Sequence, residues 1–247
     1  MLFILRSTGE RGCGRIGAKE NFLWEQNMDY LKLMQERHSV RKYLPKPIEK
    51  EKAAELEAYI KELNGKYDMS LRLVQDEDVF DKLILGYGMI KGCNNYIYVS
   101  GKDDDTLNER AGYVGELVVL KAQDMGLNTC WVGGFFSKKR VEYTHPEGHR
   151  FVLVIAIGYG ENAGTPSKTK TFDEVSLSKD VPDWYRKGID AVLLSPSAVN
   201  QKKWKFELVG DNKVRVTTAK GPFATTDVGI AKCHFELGAG KTVLFGE

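Results

Sequence analysis

The segment Thr106–Met125 constrains the fold more than any other part of the chain. Leu107, Ala111, Val114, Leu117, Val118 and Ala122 recur at helical spacing, and Gly126 supplies a stop. Such a stripe predicts a long helix with one face to bury, and nearby segments show what can cover it. Phe151–Ile157 is a continuous apolar run, and Asn95–Ser100 reads as a second buried strand. Leu71–Gln75 reads as a strand and Val79–Met89 as a helix. Upstream, a short helix from Met28 leads to Arg37, and Pro45 and Pro47 prevent its continuation. A second helix carries Ala53, Leu56, Ile60 and Leu63 and is expected to end before Gly65.

A linker rich in Gly, Ser, Thr and Lys, Gly158 to Thr171, is the best internal boundary. Beyond it the pattern predicts a helix over Pro182–Leu194 and a turn over Ser195–Gln201. Strands Trp204–Val209 and Val214–Thr218 follow, joined by the hairpin signal Gly210-Asp211-Asn212. A helix over Asp227–Leu237 is expected to stop at Gly238, before a last strand, Thr242–Phe245. Helix, loop, strand, long helix ended by Gly, then strand occurs on both sides of the linker, with Asn64–Ser70 standing where Ser195–Gln201 stands later. This order suggests a duplication, with halves 28–170 and 171–247. Residues 1–27 show no apolar periodicity, and Arg6 to Ala18 are rich in Gly and Arg. They are expected to be a disordered extension, with Met28 opening the folded protein; the alternative is a basic arm.

Composition excludes several classes. The 247 residues are 42% apolar, enough for a sizeable core. Lys and Arg number 36 against 34 Asp and Glu, so no global field recruits nucleic acid or an anionic membrane. No apolar run approaches the roughly 18 residues of a membrane span. Met1–Leu5 is too short for a signal core and ends at Arg6. The 4 cysteines are scattered without a CxxC pair, which argues against a disulfide framework or zinc knuckle and for a cytoplasmic location. His145 and His149 lie in a Pro/Gly loop with no third ligand, so no metal is expected. Gly238–Thr242 ends like a P-loop, but Phe235 stands where the first glycine belongs. Gly86-Tyr87-Gly88 opens like a dinucleotide fingerprint, but its third glycine is displaced to Gly92.

Three stretches carry chemistry. Arg37-His38-Ser39-Val40-Arg41-Lys42 packs three fixed cations and a hydroxyl into six residues. Guanidinium forks suit phosphate oxygens, each charged hydrogen bond contributing roughly 1.5–3 kcal/mol; a solvated basic turn is the alternative. Ser195-Pro196-Ser197-Ala198-Val199-Asn200-Gln201 lies about 160 residues later. Ser195 suits a helix cap with Pro196 at the first position. Asn200 and Gln201 offer the donors and acceptors that the polar edge of a planar heterocycle needs. In Cys130–Phe136, Gly133 and Gly134 let backbone N–H groups approach a flat ligand, with Trp131, Phe135 and Phe136 as a pocket wall. The alternative there is a glycine turn with core aromatics. Cys130 is not expected to be a nucleophile, since no His stands in a partner motif.

Arg-His-Ser-x-Arg, Gly-Leu-Asn-Thr-Cys-Trp-Val-Gly-Gly after a long helix, and Pro-Ser-x-x-Asn-Gln-x-x-Trp together resemble the FMN-dependent nitroreductase family. Ile155–Gly160 followed by Lys168-Thr169-Lys170 resembles that family's strand and basic tail, and the likeness spans 28–247. In that family the Pro-Ser-Asn turn follows soon after the Arg-Ser segment, and a homodimer completes each site. Here the turn comes last, similar to a branch, the TM nitroreductase type, in which one chain carries two half-units and imitates the dimer. Lys202 and Lys203 also stand where the family usually has Pro before Trp204.

The resemblance implies an α+β fold with a mixed or antiparallel sheet and surrounding helices. It implies FMN as cofactor, NADH or NADPH as donor, and a small-molecule acceptor such as a nitroaromatic or quinone, with the flavin rather than a side chain carrying the chemistry. Arg37, Ser39 and either Lys168 or Lys170 would hold the phosphate, with His38 also among the cofactor-binding residues. Arg41 would sit near the pyrimidine, with Gly133, Gly134, Pro196, Ser197, Asn200 and Gln201 around the ring. A monomeric pseudo-dimer is implied, its second site dead because Asn64–Ser70 lacks the motif. Alternatives are a non-catalytic flavin-binding protein, or a dehalogenase or flavin-fragmenting enzyme on the same scaffold.

Overall fold

The computed structural model describes residues 28–80 and 90–246. The expected extension 1–27 lies outside the described residues, as does most of the helix expected over Val79–Met89. Val79 and Phe80 themselves are buried in a loop.

Helix α1 (Tyr30–Glu36) starts at Asp29, whose carboxylate accepts from Lys32 N–H at 3.1 Å. Helix α2 (Lys50–Tyr67) buries Ala53, Leu56, Ile60 and Leu63 as the stripe requires. It does not stop at Gly65, as expected. It continues to Tyr67, whose ring meets Tyr113 at 5.8 Å, and Asp68 takes the left-handed position at φ 50°. A glycine inside a helix costs about 1 kcal/mol, and packing of the last turn outweighs that. The first-half loop is therefore much shorter than Asn64–Ser70. Asn64 is helical, and its side chain accepts from Leu71 N–H and donates to Leu71 C=O, both at 2.8 Å.

Strands β1 (Arg72–Val74), β2 (Tyr96–Lys102), β3 (Asn128–Val132) and β4 (His149–Gly158) form one antiparallel sheet in the order β1-β2-β4-β3. The central pair β2 and β4 carries the apolar runs that burial on both faces demands. Helix α3 (Leu107–Asp124) follows β2. Its predicted stripe is buried, and so are Glu116, Val119 and Leu120 on other faces, so protein surrounds it.

After Gly158 no helix or strand forms until the four-residue helix α4 (Phe172–Val175). Sequence reading missed that helix, although Thr171 and Glu174 form the capping box that T-x-x-E spells. Helix α5 (Asp183–Leu194) leads into a short 3-10 turn at Ala198–Asn200. Strands β5 (Trp204–Gly210) and β6 (Lys213–Thr218) make the expected hairpin, and β7 (Leu244–Gly246) adds to β6 in parallel. Helix α6 (Ala224–Ala239) is longer than the expected Asp227–Leu237. Its stop is Gly240, left-handed at φ 65°, and not Gly238, which lies inside the helix against Ala191.

Helices α3 and α6 pack backbone to backbone. A Cβ on Gly112 would run into the Thr226 carbonyl oxygen, and one on Gly229 into that of Glu109. Two glycines thus bring the α6 N-terminus, from late in the chain, against the helix that precedes β3.

Candidate functional site

That contact places the two distant motifs on one cleft. After α1 the chain runs extended beside β3, with Ser39 bridged to Thr129 and Val40 N–H donating to Thr129 C=O at 3.0 Å. Ser39, Arg41, Cys130 and Trp131 consequently contribute to one wall of the cleft. Opposite them stand Pro196, Ser197 and Val199 of the turn and Phe223, Thr226 and Asp227 at the start of α6. The cleft has a volume of about 110 Å³ and is partly open to solvent, smaller than the roughly 300–1,000 Å³ usual for small-molecule sites.

The turn is held from beneath. Side chains bond to three carbonyls at the end of helix α5, where helical partners run out. Ala191 C=O meets His234 Nδ1 at 3.0 Å, Val192 C=O accepts from Ser195 Oγ at 2.6 Å, and Leu193 C=O accepts from Lys202 Nζ at 2.6 Å. Ser195 therefore closes the preceding helix and does not cap a following one. Ser197 Oγ accepts from Lys202 N–H at 3.0 Å, tying the turn into a ring. Within it Val199, Asn200 and Lys202 adopt left-handed conformations at φ 44°, 54° and 41°. A β-branched residue there is strained, and Val199 is 77% exposed beside the cleft. Such strain persists only where the surroundings impose it, and it clusters at ligand sites.

Asp227, 4% exposed, imposes much of it. One carboxylate oxygen accepts from Ala198 N–H at 2.9 Å and the other from Gln201 Nε2–H at 2.8 Å. Burial pushes Asp227 up to about 6, the bonds from Gln201 and Ala198 and the charge of Lys203 opposing it. Lys202, 2% exposed, is pulled down to about 8 by burial and then by the like charges of Arg37 and Lys170. Burial likewise raises the Cys130 thiol, which argues against a thiolate there.

Arg37 lies behind the cleft wall. It is 5% exposed, its Nε stands 3.7 Å from Glu116 Oε1, and that Nε has no hydrogen-bond partner. Glu116 also accepts from the Trp131 indole N–H at 3.0 Å, and the ring rests on Gly115 of α3.

Of the residues singled out from sequence, Ser39, Arg41, Trp131, Pro196 and Ser197 line the cleft. Others frame it. Asn200 Nδ2 donates to Lys168 C=O at 2.8 Å, Lys170 Nζ donates to Lys202 C=O, and His38 packs on Gly164. The Phe223 ring lies over Gly133, and nothing crowds Gly134. Phe135 is exposed, whereas Phe136 turns into the core against Phe151. His145 and His149 point to separate partners, Tyr98 and Ser70. Sequence reading missed Asp227, Phe223, Lys202, Glu116 and His234. An acidic residue in a first helical turn reads as a dipole complement, so Asp227 gave no separate signal.

The chain matches the family described as "Putative TM nitroreductase" over residues 29–239. It belongs to this family. A Thermotoga maritima MSB8 protein described as a putative nitroreductase superposes with a TM-score of 0.57 at 20% identity, covering 85% of this chain and 83% of that one. A Desulfovibrio desulfuricans protein, described as a putative nitroreductase in complex with FMN, gives 0.49 at 17% identity, covering 63% and 99%. A Bacteroides thetaiotaomicron protein, described as a putative NADH dehydrogenase/NAD(P)H nitroreductase, gives 0.47 at 24% identity, covering 59% and 95%. No curated protein matches the chain. The mixed helix–sheet architecture is thus that of a nitroreductase. Among the described residues no helix is long and apolar enough to cross a membrane.

Proposed function

We propose that this nitroreductase-family chain binds FMN in the cleft and passes electrons from NADH or NADPH to a small acceptor of the nitroaromatic or quinone class. The observation that carries the reading is the convergence of Ser39 and Arg41 with Pro196 and Ser197 on one cleft, beside a buried guanidinium whose Nε lacks a partner. The donor set fits the group. Arg37, Lys168, Lys170 and the Ser39 hydroxyl supply the charged bonds a phosphate needs, and Trp131, Phe223 and Pro196 give apolar walls for a flat ring. Gln201 would act through Asp227, fixing the turn that presents Ser197. When bound, the flavin would supply hydride and single-electron chemistry. The protein's own residues orient it, exclude water behind Trp131, and place cations beside it. Arg41 would favour negative charge near the ring.

The two-half reading extends this. Helix, two antiparallel strands, helix and strand occur as α2-β1-β2-α3-β3 and again as α5-β5-β6-α6-β7, and the two long helices pack on each other. We take residues 28–170 and 171–247 as half-units that together build one cleft within a monomer. The purified protein should carry a yellow flavin spectrum, with FMN identified by mass after denaturation, and should oxidise NAD(P)H with a quinone. A colourless protein that does not bind added FMN would refute the cofactor. Bound FMN without turnover would favour a carrier or sensor.

A further inference from the structure

Glu116 and His234 meet where α3 packs on α6, both 0% exposed, and the reading above gives them no role. His234 Nδ1 lies 3.0 Å from Ala191 C=O, which can only accept, so Nδ1 carries a hydrogen. Its Nε2 lies 2.9 Å from Glu116 Oε1. The other carboxyl oxygen accepts from the Trp131 indole N–H, so any proton on Glu116 sits on Oε1. One proton therefore lies between Nε2 and Oε1. The pair is either imidazolium with carboxylate or imidazole with carboxylic acid, and the two forms carry the same net charge. Arg37 biases the choice, because a guanidinium whose Nε stands 3.7 Å from Oε1 favours the carboxylate. The other titratable neighbours are Cys233 on α6, its thiol held well above the usual range by burial and by Glu116, and Lys202 beyond Arg37.

We propose that Glu116 and His234 are positioning residues that share one proton and relocate it when an anion engages Arg37. With Arg37 turned toward Glu116, the proton rests on His234. When a phosphate draws the guanidinium away, the Nε2–H bond breaks and an Oε1–H bond forms. Nδ1–H stays on Ala191 C=O, and no proton is exchanged with solvent. The transfer spares the protein a buried carboxylate stripped of its Arg37 counter-charge, an expensive state. Oε2 goes on accepting from Trp131 throughout, so the cleft wall keeps its place. The inference rests on the reading that an anionic group binds at Arg37.

The test is NMR of the full chain labelled with 15N-histidine, with and without saturating FMN. The protein has 4 histidines, so His38→Gln, His145→Gln and His149→Gln identify the His234 signals by elimination. Without FMN both ring nitrogens of His234 should show one-bond proton coupling; with FMN, Nε2 should lose it while Nδ1 keeps it. Arg37→Met should show the neutral ring with no ligand added, and Glu116→Gln should hold it neutral in both states. Bound FMN with an unchanged His234 spectrum overturns the proposal, as does imidazolium persisting in Arg37→Met. Failure of FMN to bind would instead remove the cofactor reading, and Arg37→Met would still decide the coupling. Should Glu116→Gln not fold, the parent and Arg37→Met spectra suffice.

Discussion

Exposure separates the two arginines of the first motif. Arg41 is exposed at the cleft, so Arg41→Ala should weaken FMN binding without changing the melting temperature. Arg37 is buried against Glu116, so Arg37→Ala should weaken FMN binding by about 2–4 kcal/mol and also lower the melting temperature. Equal flavin affinity in parent and Arg37→Ala, measured by fluorescence titration, would remove this residue from the site. Asp227 sets a pH dependence whose sign follows from its direction of shift. Its folded value, about 6, lies above the unfolded 3.8, so the folded protein holds this proton more tightly. Stability should fall as pH rises from about 4 to 6, by on the order of 2–3 kcal/mol, and level off above. Asp227→Asn should abolish that slope, measured as the parent-minus-variant difference in urea unfolding across the window. An identical slope in both proteins would show that Asp227 is not the titrating group.

The elements were legible where periodicity or turn chemistry is local. Helix α3, strands β2 and β4 and the β5–β6 hairpin follow from stripes, apolar runs and Gly-Asp-Asn. Boundaries at Gly65 and Gly238 were misplaced because a glycine read as a stop was serving the helix interior, Gly238 through close packing on Ala191. The cleft was half legible: Ser39, Arg41, Pro196 and Ser197 are motif residues, whereas Asp227, Lys202 and Glu116 matter only through partners far away in sequence. A buried carboxylate among apolar residues carries no local signature, and neither does a glycine that exists to let α3 touch α6. Gly229→Ala tests that last contact. Its methyl would meet the Glu109 carbonyl, a backbone atom that cannot swing aside, so we expect a loss of about 1–3 kcal/mol or more. An unchanged melting temperature would mean that the two helices do not touch there.

At the scale of the whole molecule, one chain supplies both walls of the cleft: Ser39, Arg41 and Trp131 from before the 158–171 linker, Pro196, Ser197 and Asp227 from after it. An ordinary two-chain site would let complementary defects rescue each other. Co-refolding Arg37→Ala with Asn200→Ala should therefore restore no flavin binding. Recovery of bound flavin would sink the single-chain cleft and leave the nitroreductase assignment standing. The most direct test is native mass spectrometry of the full chain with added FMN, which reads cofactor count and chain count on the same particle. One FMN on a single chain is the expected result. A chain that takes up no FMN, or FMN found only on particles of two chains, would contradict it.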